Sequence, residues 1–278
     1  MPLCPTPVLT VCGGVVFLIA VSAFAAADSH GIHLNGVDDH GVSQQGVGKV
    51  DRLGDSAAQA LATAQGGGRS AAPATQVELA NPALVSTADK REQLTYLVRC
   101  ALPEDTVLYA QHGLDRFTFQ GSVGLAPRWL YEAMTPSEER WVSACLLAHV
   151  NYFGKSVTIS LRATPPVVPT LVVSEYEQQA FSIFEGGFFG NLFLPAPVAY
   201  TCRGDRTPAQ ARDPILQDRV CTQETGGTTA DGTPITFCHF LVTGRCEDVA
   251  SFTVDGTHYA EVIFTYLRPS TPSEAGTP

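Results

Sequence analysis

No charged side chain precedes Asp28, no aromatic residue lies between Phe24 and Tyr96, and no C-x-x-C pair occurs in the chain. Each absence excludes something. A stretch without aromatics buries too little apolar surface to offset the entropy of ordering, so a large core before about residue 86 is excluded. Cysteines without C-x-x-C spacing lack the usual zinc pattern, and zinc is set aside. Charge is sparse as well: Asp, Glu, Lys and Arg make up 16% of the 278 residues, against ~25% in an average soluble domain. With 17 basic and 27 acidic side chains the net charge is −10. That balance argues against a nucleic-acid surface and against an anionic membrane partner.

What is present begins with an apolar run from Val8 to Ala27, closed by the small-x-small sites Ala23-Phe24-Ala25 and Ala25-Ala26-Ala27. It reads as a secretory signal over residues 1–27, although the segment before it carries no Lys or Arg. An uncleaved anchor is the alternative, because ~20 apolar residues span a bilayer. Export takes Cys4 and Cys12 away and leaves Cys100, Cys145, Cys202, Cys221, Cys238 and Cys246. An even set in an exported chain reads as three disulfides, with about 15 pairings open. Cys100 with Cys145 is preferred because each lies on an apolar helical segment, leaving the last four to pair among themselves.

Residues 28–86 are rich in Gly, Ala, Ser and Gln and read as a flexible leader. Within them Gly31, Gly36, Gly41 and Gly46 each precede Ile or Val in a degenerate five-residue repeat. Asn35, His40 and Gln45 stand where a pentapeptide-repeat helix wants a small residue, so an irregular stalk is expected rather than a β-helical coil. The ordered part spans residues 87–268, followed by a polar tail over 269–278. Ser86 or Thr87 can cap a helix that ends before Pro103, and Thr135-Pro136-Ser137-Glu138 is a capping-box helix start. Alternation predicts a hairpin across His112-Gly113 with Phe117 and Phe119 on one side, and strands over Ser156–Arg162, Leu171–Ser174 and Gln179–Glu185. Residues 200–234 read as a long disulfide-held loop. Asp255-Gly256 marks a final hairpin whose second strand presents Ala260, Val262, Phe264 and Tyr266 on one face. The expected class is α+β: one disulfide-stabilised domain in which two or three helices accompany an antiparallel sheet.

Arg140-Trp141-Val142-Ser143-Ala144-Cys145-Leu146-Leu147-Ala148-His149-Val150-Asn151 and Glu185-Gly186-Gly187-Phe188-Phe189-Gly190-Asn191-Leu192-Phe193 resemble segments of an uncharacterised family of exported, myxobacterial-type proteins. Leu34-Asn35-Gly36 matches that family's leader repeat, and Leu97 to Leu102 a further segment. The 14 Arg against 3 Lys suit a GC-rich genome. The resemblance implies secretion and disulfides and brings no activity with it.

Three constellations could carry chemistry. Cleavage after Ala27 would expose Asp28-Ser29-His30, whose amine, amides and imidazole suit square-planar Cu(II) or Ni(II); no other cofactor is expected. Glu175 and Glu185, expected on or beside neighbouring strands, could act as a glycosidase carboxylate pair, with Trp129, Tyr131, Trp141 and Asn191 lining a sugar site. Cys145 and His149 share a helix face as a thiol and base, and Ser122 sits in a sequence lacking the first Gly of G-x-S-x-G. None has the full spacing that catalysis demands. The expected function is therefore a non-enzymatic, periplasmic or cell-surface module that binds a protein or glycan, with a secreted polysaccharide or peptidoglycan hydrolase as the alternative.

Overall fold

The computed structural model describes residues 32–35, 76–79, 82–130, 132–153, 157–164, 166–248 and 252–270. The expected signal segment, Asp28-Ser29-His30, most of the repeat-bearing leader, Tyr131 and the tail from residue 271 lie outside them.

Two capped helices organise the first part. Helix α1 (Ala88–Ala101) starts where the Thr87 hydroxyl accepts from the Lys90 amide at 3.3 Å and stops at extended Leu102. Its stripe of Leu94, Leu97, Val98 and Ala101 is buried, as the 3.6-residue period requires. Helix α2 (Pro136–His149) opens with the capping box read in the sequence: the Glu138 amide donates to the Thr135 hydroxyl at 3.2 Å, and the Thr135 amide donates to the Glu138 carboxylate at 2.7 Å. Every residue from Val142 to His149 is buried. A helix that is apolar nearly all round belongs inside a core.

Strands β1 (Ile32–Asn35) and β2 (Gln76–Leu79) come from the expected leader, and the buried Leu84 and Val85 carry the packed region upstream of Ser86. Strands β3 (Val107–His112) and β4 (Asp115–Gln120) form the expected hairpin, turning through Gly113 at φ +64°, and β2 lies parallel to β3. Phe119 is buried there and Phe117 packs against the same core.

The rest of the chain supplies β5 (Val157–Arg162), α3 (Glu175–Ala180), β6 (Ile183–Asn191), β7 (Val198–Arg203), α4 (Pro214–Gln217), β8 (Glu224–Thr228), β9 (Pro234–Thr236), β10 (Leu241–Arg245), the pair β11 (Thr253–Val254) and β12 (Thr257–His258), and β13 (Ile263–Leu267). The main sheet runs β1-β5-β13-β6-β7-β10-β9-β8. Its neighbours are antiparallel apart from β7 and β10. Helix α2 packs across β6 and β13. The α+β class is thus as the sequence implied, with a mixed, mostly antiparallel sheet. The disulfides are Cys100–Cys145, Cys202–Cys246 and Cys221–Cys238. Among the described residues no helix is long and apolar enough to cross a membrane.

Four expectations are corrected. Residues 200–234 are not one loop but carry the end of β7, α4, β8 and the start of β9. Residues 171–174 form no strand; Leu171 ends a 3-10 turn whose Pro169 has no amide hydrogen to give a ladder. The strand expected over Gln179–Glu185 is split, because the Ser174 hydroxyl accepts from the Glu177 amide at 3.2 Å and starts α3. The Asp255-Gly256 hairpin closes only β11 and β12, and Phe264 and Tyr266 share one face of the separate strand β13, while Ile263, Thr265 and Leu267 face the core. The outer face of β13 is itself covered by aromatics, with Phe184 stacked on Tyr266 at 4.7 Å.

Candidate functional site: an aromatic patch and an arginine cleft

The expected carboxylate pair does not form a site. Glu175 sits exposed in the first turn of α3, whereas Glu185 on β6 is 0% exposed. The Glu185 carboxylate accepts from Arg219 Nε at 2.9 and 3.1 Å, from Arg219 Nη2 at 2.8 Å and from the Thr265 hydroxyl at 2.6 Å. Arg219, also fully buried, donates through Nη2 to the Ala148 carbonyl at 2.9 Å. A carboxylate neutralised in this way and sealed from water neither protonates a leaving group nor attacks a sugar. Its role is to hold the segment carrying Arg219 onto the end of α2.

The expected stacking and binding residues are structural too. Trp129 is 1% exposed and Trp141 packs against the main core. The Asn191 amide nitrogen donates to Glu139 at 3.2 Å and its oxygen accepts from the Phe193 amide at 2.9 Å, which fixes a turn. The Ser122 amide bonds to the Leu102 carbonyl at 2.8 Å in a bridge beside Pro103, with no strand-to-helix elbow. Cys145 is oxidised and so is no nucleophile. His149 is fully buried, and its Nδ1–H donates to the Cys145 carbonyl at 2.8 Å. Cys100, Cys145 and His149 bring their ligand atoms within 4.8 Å of one another, but both sulfurs are consumed in the disulfide and one nitrogen holds no metal alone.

Two surface features take the place of these candidates. Just beyond α2, Tyr152 (38% exposed) and Phe153 (49% exposed) meet Phe237 (38% exposed) from the turn after β9. Tyr152 stands edge-on to Phe153 at 5.0 Å and to Phe237 at 5.7 Å, a favoured aromatic geometry. The Cys221–Cys238 bridge fixes the patch from beneath, with Cys221 Sγ 3.3 Å from the Val150 carbonyl oxygen.

The second feature follows from the parallel pair in the main sheet. Parallel strands finish at the same end, and β7 and β10 pair Arg203 with Arg245 there, while Cys202–Cys246 locks the register. Arg206 follows after a tight approach at Gly204, where a Cβ would lie 2.5 Å from the Phe184 carbonyl oxygen. These arginines line a cleft of about 500 Å³ together with Asp205, Gln217, Thr222 and Glu224. Arg203 pairs with Glu224 at 3.1 Å, and Arg245 with Asp205 at 2.7 Å and Glu247 at 3.4 Å. Burial holds the Arg206 guanidinium below its ordinary pKa; the Glu185 carboxylate opposes this and the neighbouring Arg203 charge adds to it. A second cleft of about 420 Å³, lined by Tyr200, Asp231, Thr243 and Asp255 among others, lies toward the other end of β7 and β10. Burial pushes the Tyr200 hydroxyl up to about 12. Sequence reading missed the aromatic patch and the arginine cleft because each joins residues far apart in the chain; the adjacent Tyr152-Phe153 pair and the dense Arg203-Gly204-Asp205-Arg206 run were the local signals.

No family model, curated protein or solved structure matches the chain.

Proposed function

We propose that the protein is an exported, non-enzymatic binding module of the periplasm or cell surface, and that its ligand is a glycan that settles on the Tyr152, Phe153 and Phe237 patch. The observation that carries the reading is the exposure of three rings, with Tyr152 packed edge-on against both Phe153 and Phe237, on a base cross-linked by Cys221–Cys238. Aromatic rings offer the apolar faces of sugars a large contact area at little entropic cost, and a rigid base keeps that cost low. Three disulfides fit an oxidising compartment. The hydrolase reading loses its motive, since Glu185 is locked to Arg219 and does not meet Glu175 in a cleft.

A binding and hydrolysis screen on insoluble polysaccharides and peptidoglycan tests this. Retention without release of reducing sugar is expected, and Phe153→Ala together with Phe237→Ala should weaken it about tenfold, the loss expected of central aromatic contacts. Sugar release by the protein would restore the hydrolase. Retention that survives the double change would move the ligand elsewhere, and capture of a defined protein partner in place of any glycan would change its class.

A further inference from the structure

We propose that the arginine cleft at the paired ends of β7 and β10 is a binding site for an oxyanion, the carboxylate or phosphate group of an acidic ligand, and that Arg206 is its principal contact. The proposal uses none of the aromatic patch's side chains, so each stands or falls alone.

The molecule carries a net −10, yet three guanidinium groups converge on one concavity of about 500 Å³, a size in the range of small-ligand pockets. Like charges brought together repel, and the fold relieves two of them. Glu224 is committed to Arg203, and Asp205 to Arg245. Asp205 Oδ1 also accepts from the Arg206 backbone amide at 3.1 Å, so this carboxylate is engaged by the backbone and by Arg245. Arg206 differs from its neighbours. Its Nε donates to the Gly204 carbonyl at 3.4 Å, and among the described residues no carboxylate pairs with it. A half-buried guanidinium has lost part of its water and keeps a fork of N–H donors. An oxyanion answers that fork with two parallel, charge-assisted hydrogen bonds.

The backbone adds rigidity, which turns a cluster of arginines into a shaped receptor. Arg203 and Arg245 cannot drift apart, because Cys202–Cys246 joins the residue before one to the residue after the other. Gly204 leaves no room for a side chain between Arg203 and the β6 backbone. The Gly204 amide donates to the Glu185 carbonyl at 3.2 Å, so the turn leading to Arg206 is anchored to the strand that holds the buried ion pair. Thr222, Gln217 and Gln223 line the same cleft as neutral residues around the charged centre, with the Gln223 amide nitrogen donating to the Leu216 carbonyl at 3.1 Å. The ligand class is therefore an acidic small molecule or the acidic terminus of a larger one.

Titrating the full protein with inorganic phosphate and, separately, with D-glucuronate at constant ionic strength tests the site, read by calorimetry and by the NMR signal of the Arg206 Nε–H. Saturable binding is expected for at least one anion, with a shift of that signal. Binding of only one anion supports the site and assigns its preference to phosphate or carboxylate. Arg206→Ala should weaken the bound anion at least about tenfold, and Arg206→Lys, which keeps the charge but loses the fork, should weaken it several-fold. Arg128→Ala, in an exposed pair with Glu132 away from the cleft, should change nothing. If Arg206→Ala fails to fold, Arg206→Lys decides. No saturable binding of either anion, or equal binding by wild type and Arg206→Lys with the Arg206 signal unmoved, overturns the proposal.

Discussion

The helix-rich part, residues 82–149, and the arm from 203 to 248 are held in opposite ways. In the first, caps and apolar stripes suffice, and Cys100–Cys145 joins two helices whose Leu97, Val98, Leu146 and Leu147 are already buried together. In the arm, all five residues of β8 are exposed, and Cys221 and Cys238 are themselves members of the main core. Cys100–Cys145 reinforces helix packing, whereas Cys221–Cys238 adds a covalent tie to an arm that buries only a few apolar side chains, among them Leu216, Val220, Phe240 and Val242. With its order shared between that cross-link and those side chains, the arm can expose Arg203 and Arg245 and leave Arg206 half-buried. The arginine cleft lies on the exposed polar surface of the arm, the part of it that packing does not use.

The largest loss is expected from cutting the polar tie between the two parts. Arg219 reaches from the arm to the Ala148 carbonyl of α2 and to Glu185. Replacing one partner of a buried pair strands the other charge, so Arg219→Met should cost about 3–5 kcal/mol. Adding Glu185→Leu should restore part of that loss, because no buried charge is then left over. Urea denaturation of both variants measures the effect. A single-variant loss below about 1 kcal/mol would mean that water reaches Glu185 and that the arm is not tied as described.

A smaller effect is expected from removing Cys221–Cys238, which closes a separation of 17 residues. Chain entropy gives such a link about 3 kcal/mol. The more telling readout is location. In the Cys221→Ala, Cys238→Ala variant, hydrogen exchange should quicken across residues 203–248 and leave the amides of α1 and α2 protected. Equal loss of protection in α2 would erase the distinction between the two regions.

The same division explains what could be read from the sequence. The Thr135 capping box, the Thr87 cap and the His112-Gly113 turn are local, each set by residues within about four positions, and all were legible. Ser174-Glu175-Tyr176-Glu177 carries the same kind of start signal and was overlooked in favour of alternation, which misplaced Glu175. Glu185 looked like a catalytic acid because its partner Arg219 lies 34 residues later in a stretch without periodicity. The Arg203 and Arg245 apposition depends on a parallel register and on Cys202–Cys246, and spacing alone does not select that pairing. Local chemistry was readable; charge neutralisation across the fold was not.

A last, local change with pH is expected at the exposed tip of the arm. The Asp231 carboxylate accepts from the hydroxyls of Thr229 and Thr233 in the turn between β8 and β9. Those bonds, Thr229 first, hold its pKa below the ordinary 3.8. A carboxyl depressed in the folded state stabilises the fold at pH values above its unfolded pKa and loses that contribution as pH falls through its folded pKa. The turn should therefore be intact at neutral pH and loosen only under acid conditions below the ordinary carboxylate range. NMR shifts of the Gly232 and Thr233 amides against pH would follow it, since both amides bond to Thr229. Asp231→Asn should abolish the acid transition at these two amides without moving the midpoint of global unfolding, because the group is exposed. An unchanged transition in that variant would assign the loosening to another carboxylate and leave the turn's order to its backbone alone.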